Sequence, residues 1–135
     1  MTTASDVRSA VEEFRTRIPS MKSPQWYTHL NDAIKAPAAA RKEPWGSAAG
    51  VYAFFNGTGE LRYIGRALSS VGLAARVSDH LQDKCRGRDD WDKVLDDREA
   101  SVEVCALAKE DAGWAPSLEL FLCERFTGLV NRRRS

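Results

Sequence analysis

The chain has 135 residues, 43% hydrophobic and 29% charged, with 20 Lys plus Arg against 19 Asp plus Glu and a net charge of +1. Those values describe one ordinary globular domain, long enough to bury a core without staples; they exclude a uniformly basic nucleic-acid binder, so any cationic surface must come from uneven distribution. Three widely spaced cysteines, Cys85, Cys105 and Cys123, form no CxxC pair, which argues against both a disulfide framework and a zinc knuckle. The first residues carry acids early and no apolar h-region, unlike a signal peptide, and no apolar run approaches transmembrane length. The expectation is a cytoplasmic protein with no membrane partner.

In chain order, Val7, Val11, Phe14 and Ile18 recur at helical spacing and predict an amphipathic helix over 5–18, capped by Ser5. A second helix is expected from Ser23-Pro24, with Trp26, Tyr27, Leu30, Ala33 and Ile34 on its apolar face. The stretch from Pro37 to Gly50 is rich in Ala, Pro and Gly and reads as a breaker. It divides an N-terminal helical extension, 1–47, from a core, 48–135.

The core opens on Gly50-Val51-Tyr52-Ala53-Phe54-Phe55, a run of strand formers. Asn56-Gly57-Thr58-Gly59 is turn chemistry, and 60–66 is the return strand. Residues 71–84 are predicted helical on the stripe Leu73, Val77, Leu81, and 89–98 a charged, solvated helix. Alternation around Val102, Val104 and Ala106 predicts a third strand over 101–108. Residues 116–127 form an apolar helix stopped by Gly128. The expected class is α/β of the α+β kind: a small three-stranded antiparallel β-sheet flanked by helices, with an N-terminal helical extension.

Several residues within this frame carry chemistry. A two-residue hairpin loop at Gly57-Thr58 would set Tyr52 directly opposite Tyr63, with Cβ atoms about 4.5–5.5 Å apart. Arg76 and His80 are four apart and share one face of their helix. Glu119 stands in the apolar run Leu118-Glu119-Leu120-Phe121-Leu122, where a carboxylate is costly unless it is paired, metal-bound or turned outward. Arg66 follows Gly65 at the strand end. Each has an ordinary reading taken singly: core tyrosines, a surface Arg–His pair, an outward carboxylate, a solubilising arginine.

Their order and spacing together resemble the GIY-YIG endonuclease family. Gly50-Val51-Tyr52 is followed, after ten intervening residues, by Tyr63-Ile64-Gly65, similar to that signature. Arg76 and His80 match its R-x-x-x-H helix, Glu119 its L-E-x-x-L helix, and Asn131 the asparagine that often closes the set. The resemblance covers about residues 48–133. It departs in Val51 for isoleucine, in Arg66 where many members carry lysine, and in lacking the usual proline before Asn131. It implies the GIY-YIG nuclease fold, consistent with the three strands counted above.

The resemblance implies a metal-dependent endonuclease that hydrolyses DNA phosphodiesters, structure-directed or weakly sequence-specific, in DNA repair or processing, mobile elements or phage defence. Glu119 would hold a divalent cation, Mg²⁺ or Mn²⁺, and Arg76 would neutralise charge on the phosphorane. Tyr52 would be the general base, aided by Arg66, with Tyr63 positioning the water; His80 is the alternative base, since histidine ordinarily titrates at about 6.5. An arginine cannot surrender its proton, so Arg66 is excluded as the base. Arg41 and Lys42, with Lys22 and Lys35, and the tail Arg132, Arg133 and Arg134 are candidate phosphate contacts, which position a protein without reading sequence. The partner is DNA, the state monomer or homodimer. The competing readings are an inactive nucleic-acid-binding module, a partner-binding or structural protein with the N-terminal amphipathic helices as its interface, and an RNA-cleaving nuclease or toxin.

Overall fold

The structure, a computed structural model, describes residues 1–82, 91, 94, 97–127 and 129. Helix α1 (Ala4–Thr16) buries Val7, Ala10, Val11 and Phe14, the stripe read from the sequence. Its cap is Thr3 rather than Ser5: the Asp6 carboxylate accepts the Thr3 backbone N–H at 2.9 Å. An acid in the first turn can reach back to that orphan donor.

The segment expected to form the second helix is instead strand β1 (Gln25–Leu30), followed by the single turn α2 (Asn31–Ile34). Trp26, Tyr27 and Thr28 favour an extended, half-buried backbone, and β1 supplies the hydrogen bonds that an outer strand would otherwise leave open. Helix α3 (Pro37–Arg41) interrupts the predicted breaker region, with Pro37 at its start.

Strands β2 (Gly50–Phe55), β3 (Leu61–Ala67) and β4 (Ser101–Ala106) form as expected. With β1 the sheet has four strands rather than three, in the order β1-β4-β2-β3, every pair antiparallel. Helix α4 (Leu73–Leu81) follows β3. A 3₁₀ turn over Lys109–Trp114 leads into α5 (Ala115–Arg125). No described helix is long and apolar enough to cross a membrane.

Alternation along the strands divides the interior in two. Tyr52, Phe54, Val102 and Val104 face α4, Trp45, Trp91 and Val94. Val51, Ala53, Ile64 and Cys105 face α1 and α5. Trp91 and Val94, placed by the sequence reading in a solvated helix, are both buried. The remainder of that stretch, apart from 97 and 98, and Gly128 lie outside the described residues.

The hairpin register is offset from the expected one. Tyr52 pairs with Gly65 and Phe54 with Tyr63, with an irregularity between Phe54 and Phe55. The cause is Asn56, whose Oδ1 accepts from Thr58 N (3.1 Å), Thr58 Oγ1 (2.8 Å) and Glu60 N (2.9 Å). That side chain holds a wider loop than a two-residue turn. Because strand side chains alternate with a period of two, a two-residue slip returns each one to its original face. Tyr52 and Tyr63 therefore remain on the same side, as diagonal neighbours.

Candidate active site

Tyr52 lies on an inner strand and is only 1% exposed, yet its ring reaches toward the open edge of the sheet. It does so by crossing β3 at Gly65, where a Cβ would sit 2.5 Å from the Tyr52 Cζ and Oη. Gly50 serves a similar end at the start of β2, where a Cβ would drive into the Cys105 carbonyl oxygen of β4. Both glycines of the two tyrosine motifs are thus places where no side chain fits.

On α4, His80 lies between the two phenols. Its Nε2 is 2.7 Å from the Tyr63 hydroxyl, and its Nδ1 is 3.2 Å from the Tyr52 hydroxyl and 3.0 Å from the Arg76 carbonyl oxygen. A carbonyl oxygen only accepts, which assigns the proton to Nδ1 and leaves Nε2 to accept the Tyr63 O–H. The rings pack closely: Tyr52 and Tyr63 stack at 6.4 Å between centroids, and Tyr63 and His80 lie 4.7 Å apart.

Trp91 completes the cluster. It makes an edge contact with Phe54 at 5.1 Å, and its Nε1 donates to the His80 carbonyl oxygen at 2.9 Å. Sequence reading missed this residue. Its signal was the apolar pair Trp91 and Val94, three apart within an otherwise charged segment.

Burial pushes the Tyr52 phenol well above its ordinary range, and Tyr63 reinforces the shift; Arg76 opposes it through its charge and a hydrogen bond, while Glu119 adds to it. Arg76 and Glu119 therefore both act on the Tyr52 hydroxyl, one from α4 and the other from α5. Arg66, near the end of β3, donates from Nη1 to Glu119 Oε1 at 2.6 Å. Of the three options open to a carboxylate in an apolar helix, Glu119 takes pairing, and Arg66 is the partner.

The structure thus joins Tyr52, Tyr63, His80, Arg76, Glu119 and Arg66 through hydrogen bonds, ring contacts and charge at one edge of the sheet. Arg41 and Lys42 are exposed at the end of α3, which packs against α4; no described contact links them to the tyrosines. Asn131 and the tail arginines Arg132, Arg133 and Arg134 lie outside the described residues, as does Cys85. Cys105 and Cys123 are buried.

Glu119 fits a hard cation of the Mg²⁺ kind. Mg²⁺ is commonly held by one or two carboxylates, with phosphate oxygens and waters filling its remaining positions. Among the described residues no group of three or more His, Cys, Asp or Glu side chains is placed to hold a metal ion. No protein-family model matches this chain, and no curated protein sequence matches it.

Proposed function

We propose that this chain is a divalent-cation-dependent endonuclease of the GIY-YIG type, hydrolysing phosphodiester bonds in DNA. The observation that carries this reading is the grouping of two tyrosines, a histidine, two arginines and one carboxylate at the β3 edge of the sheet. This set supplies a proton acceptor, fixed positive charge and a hard-metal ligand. A rival binding module would need the arginines but has no use for a histidine held between phenols.

In this reading Glu119 would hold the cation, which would supply Lewis-acid polarisation of the phosphate and charge relief for the leaving oxygen. Water attacks phosphorus as the P–O3′ bond breaks. The water proton passes through the Tyr63 hydroxyl to His80 Nε2, and the departing 3′ oxygen is protonated from solvent. The depth of Tyr52 favours its neutral phenol, which suits it to orienting His80 rather than to acting as the base. Arg76 neutralises charge on the phosphorane with a planar guanidinium. Arg66 holds Glu119 in place. The nucleophile comes from outside the substrate, so no 2′-hydroxyl is needed, and DNA is the preferred polymer.

The test is a gel cleavage assay with and without Mg²⁺, comparing wild type with Glu119→Ala on single-stranded, duplex and branched DNA and on RNA. Metal-dependent cutting of DNA by wild type, lost in the variant, is expected. Binding without cleavage by both proteins would overturn the enzyme reading in favour of a binding module. Faster cutting of RNA than of any DNA would overturn the assigned substrate.

A further inference from the structure

Six large apolar side chains are exposed among the described residues: Met1, Leu30, Leu68, Val71, Trp114 and Leu120. A solitary exposed leucine needs no explanation, but three of these stand close to site residues in the sequence. Leu68 follows Arg66 by two residues, Val71 belongs to the same turn, and Leu120 is next to Glu119. Leu68 is 45% exposed, Val71 55% and Leu120 44%.

The turn that carries Leu68 and Val71 is firmly held. Val71 N and Gly72 N both donate to the Leu68 carbonyl oxygen, at 3.0 and 2.8 Å. The start of α4 is then pinned, Leu73 N to Ala48 O and Ala74 N to Gly46 O, each at 2.9 Å. A fixed backbone therefore presents two aliphatic side chains to water, where they forgo the free energy of burial until a partner covers them. Arg66 precedes this turn on β3, and exposed Arg76 follows it on α4. Arg66 is held by Glu119, which leaves the exposed Arg76 guanidinium to follow this aliphatic tip, a match to a polymer with phosphates on its outside and flat apolar faces between them.

We propose that the β3–α4 turn is an apolar wedge that rests on the open face of an unstacked base beside the scissile phosphate. The chain would then favour forks, flaps and junctions over continuous duplex. This rests on the nucleic-acid reading of the site and names the substrate class within it. Continuous duplex hides its base faces by stacking, and an apolar wedge enters it only by separating a base step; at a branch point that separation already exists.

The test compares wild type with the full-length Leu68→Ser/Val71→Ser variant, whose two positions are exposed. Binding is measured in EDTA to a forked DNA and to a matched duplex, each with 2-aminopurine at the corresponding position. Wild type is expected to prefer the fork by on the order of tenfold, equivalent to about 1.4 kcal/mol, and to brighten its 2-aminopurine. The variant should bind both DNAs alike with an unchanged salt slope, because the arginines remain. A variant that keeps the fork preference and the fluorescence change overturns the wedge, as does a wild type with no preference. A wild type that grips forks through this turn yet cuts nothing with Mg²⁺ supports the wedge and overturns the nuclease reading. Equal cutting and binding of fork and duplex does the reverse.

Discussion

In the proposed reaction, Tyr52 and His80 would divide the acid–base work according to depth. Tyr52 is buried on an inner strand and held neutral by desolvation, whereas His80 Nε2 meets the half-buried Tyr63 hydroxyl at 2.7 Å. His80→Ala and Tyr63→Phe should each slow cleavage by roughly 10²- to 10⁴-fold, the usual contribution of a positioned acid or base. Tyr52→Phe keeps the ring that packs over Gly65 and loses only the hydroxyl, so its loss should be smaller than that of His80→Ala. Single-turnover rates on one DNA substrate check the ranking; a larger loss for Tyr52→Phe would return the base role to Tyr52. The residue types and their order were legible in the sequence. The depth of each hydroxyl was not, because it depends on which strand lies inside the sheet and which at its edge.

Among the elements, β1 shows how a helical pattern is overridden. Trp26, Tyr27, Leu30, Ala33 and Ile34 satisfy a helical repeat, but 25–30 pairs with β4 along its whole length. Glu103 of β4, 4% exposed, explains much of this arrangement. Its Oε1 accepts from Arg8 Nε and a second guanidinium nitrogen, at 2.9 and 2.6 Å, and its Oε2 from the Thr28 hydroxyl. One carboxylate thus ties α1 and β1 to the sheet. Hydrogen bonds to a charged group contribute about 1.5–3 kcal/mol, and Arg8 is exposed enough to recover water. Glu103→Ala should therefore cost about 2 kcal/mol, read as a lower urea midpoint, with the packing of Tyr52, Tyr63 and His80 on the other face intact. An unchanged midpoint would show that pairing along β1 alone holds the strand. No spacing between Arg8, Thr28 and Glu103 announces this triad, since the three meet only once the strand order is set.

For the molecule as a whole, two buried groups, one in each core, make alkali the destabilising direction. Burial raises the Cys105 thiol, with Glu12 adding to the shift and Arg8 opposing it; burial likewise raises the Tyr52 phenol. In the unfolded chain these groups ionise near about 8.5 and about 10. Above those values the unfolded state binds fewer protons than the folded one, so stability falls as pH rises. Their contribution is fully present below about pH 8.5. Urea midpoints measured from pH 7 to 11 should decline from about pH 9, with a shallower slope for Cys105→Ala/Tyr52→Phe. Parallel slopes for the two proteins would mean that other groups carry the alkaline loss.

Local patterning sufficed for α1, β2, β3, α4, β4 and α5, and for the spacing that brings the two tyrosines to one face. Each of these depends on a period of 3.6 or 2 and on turn residues, quantities contained within a short window. The strand order, the fourth strand, the Arg66–Glu119 pair, the histidine held between two phenols and the burial of Trp91 depend on contacts between distant segments. They exist only after two faces of one sheet have been covered by different helices, so no short window of residues contains them.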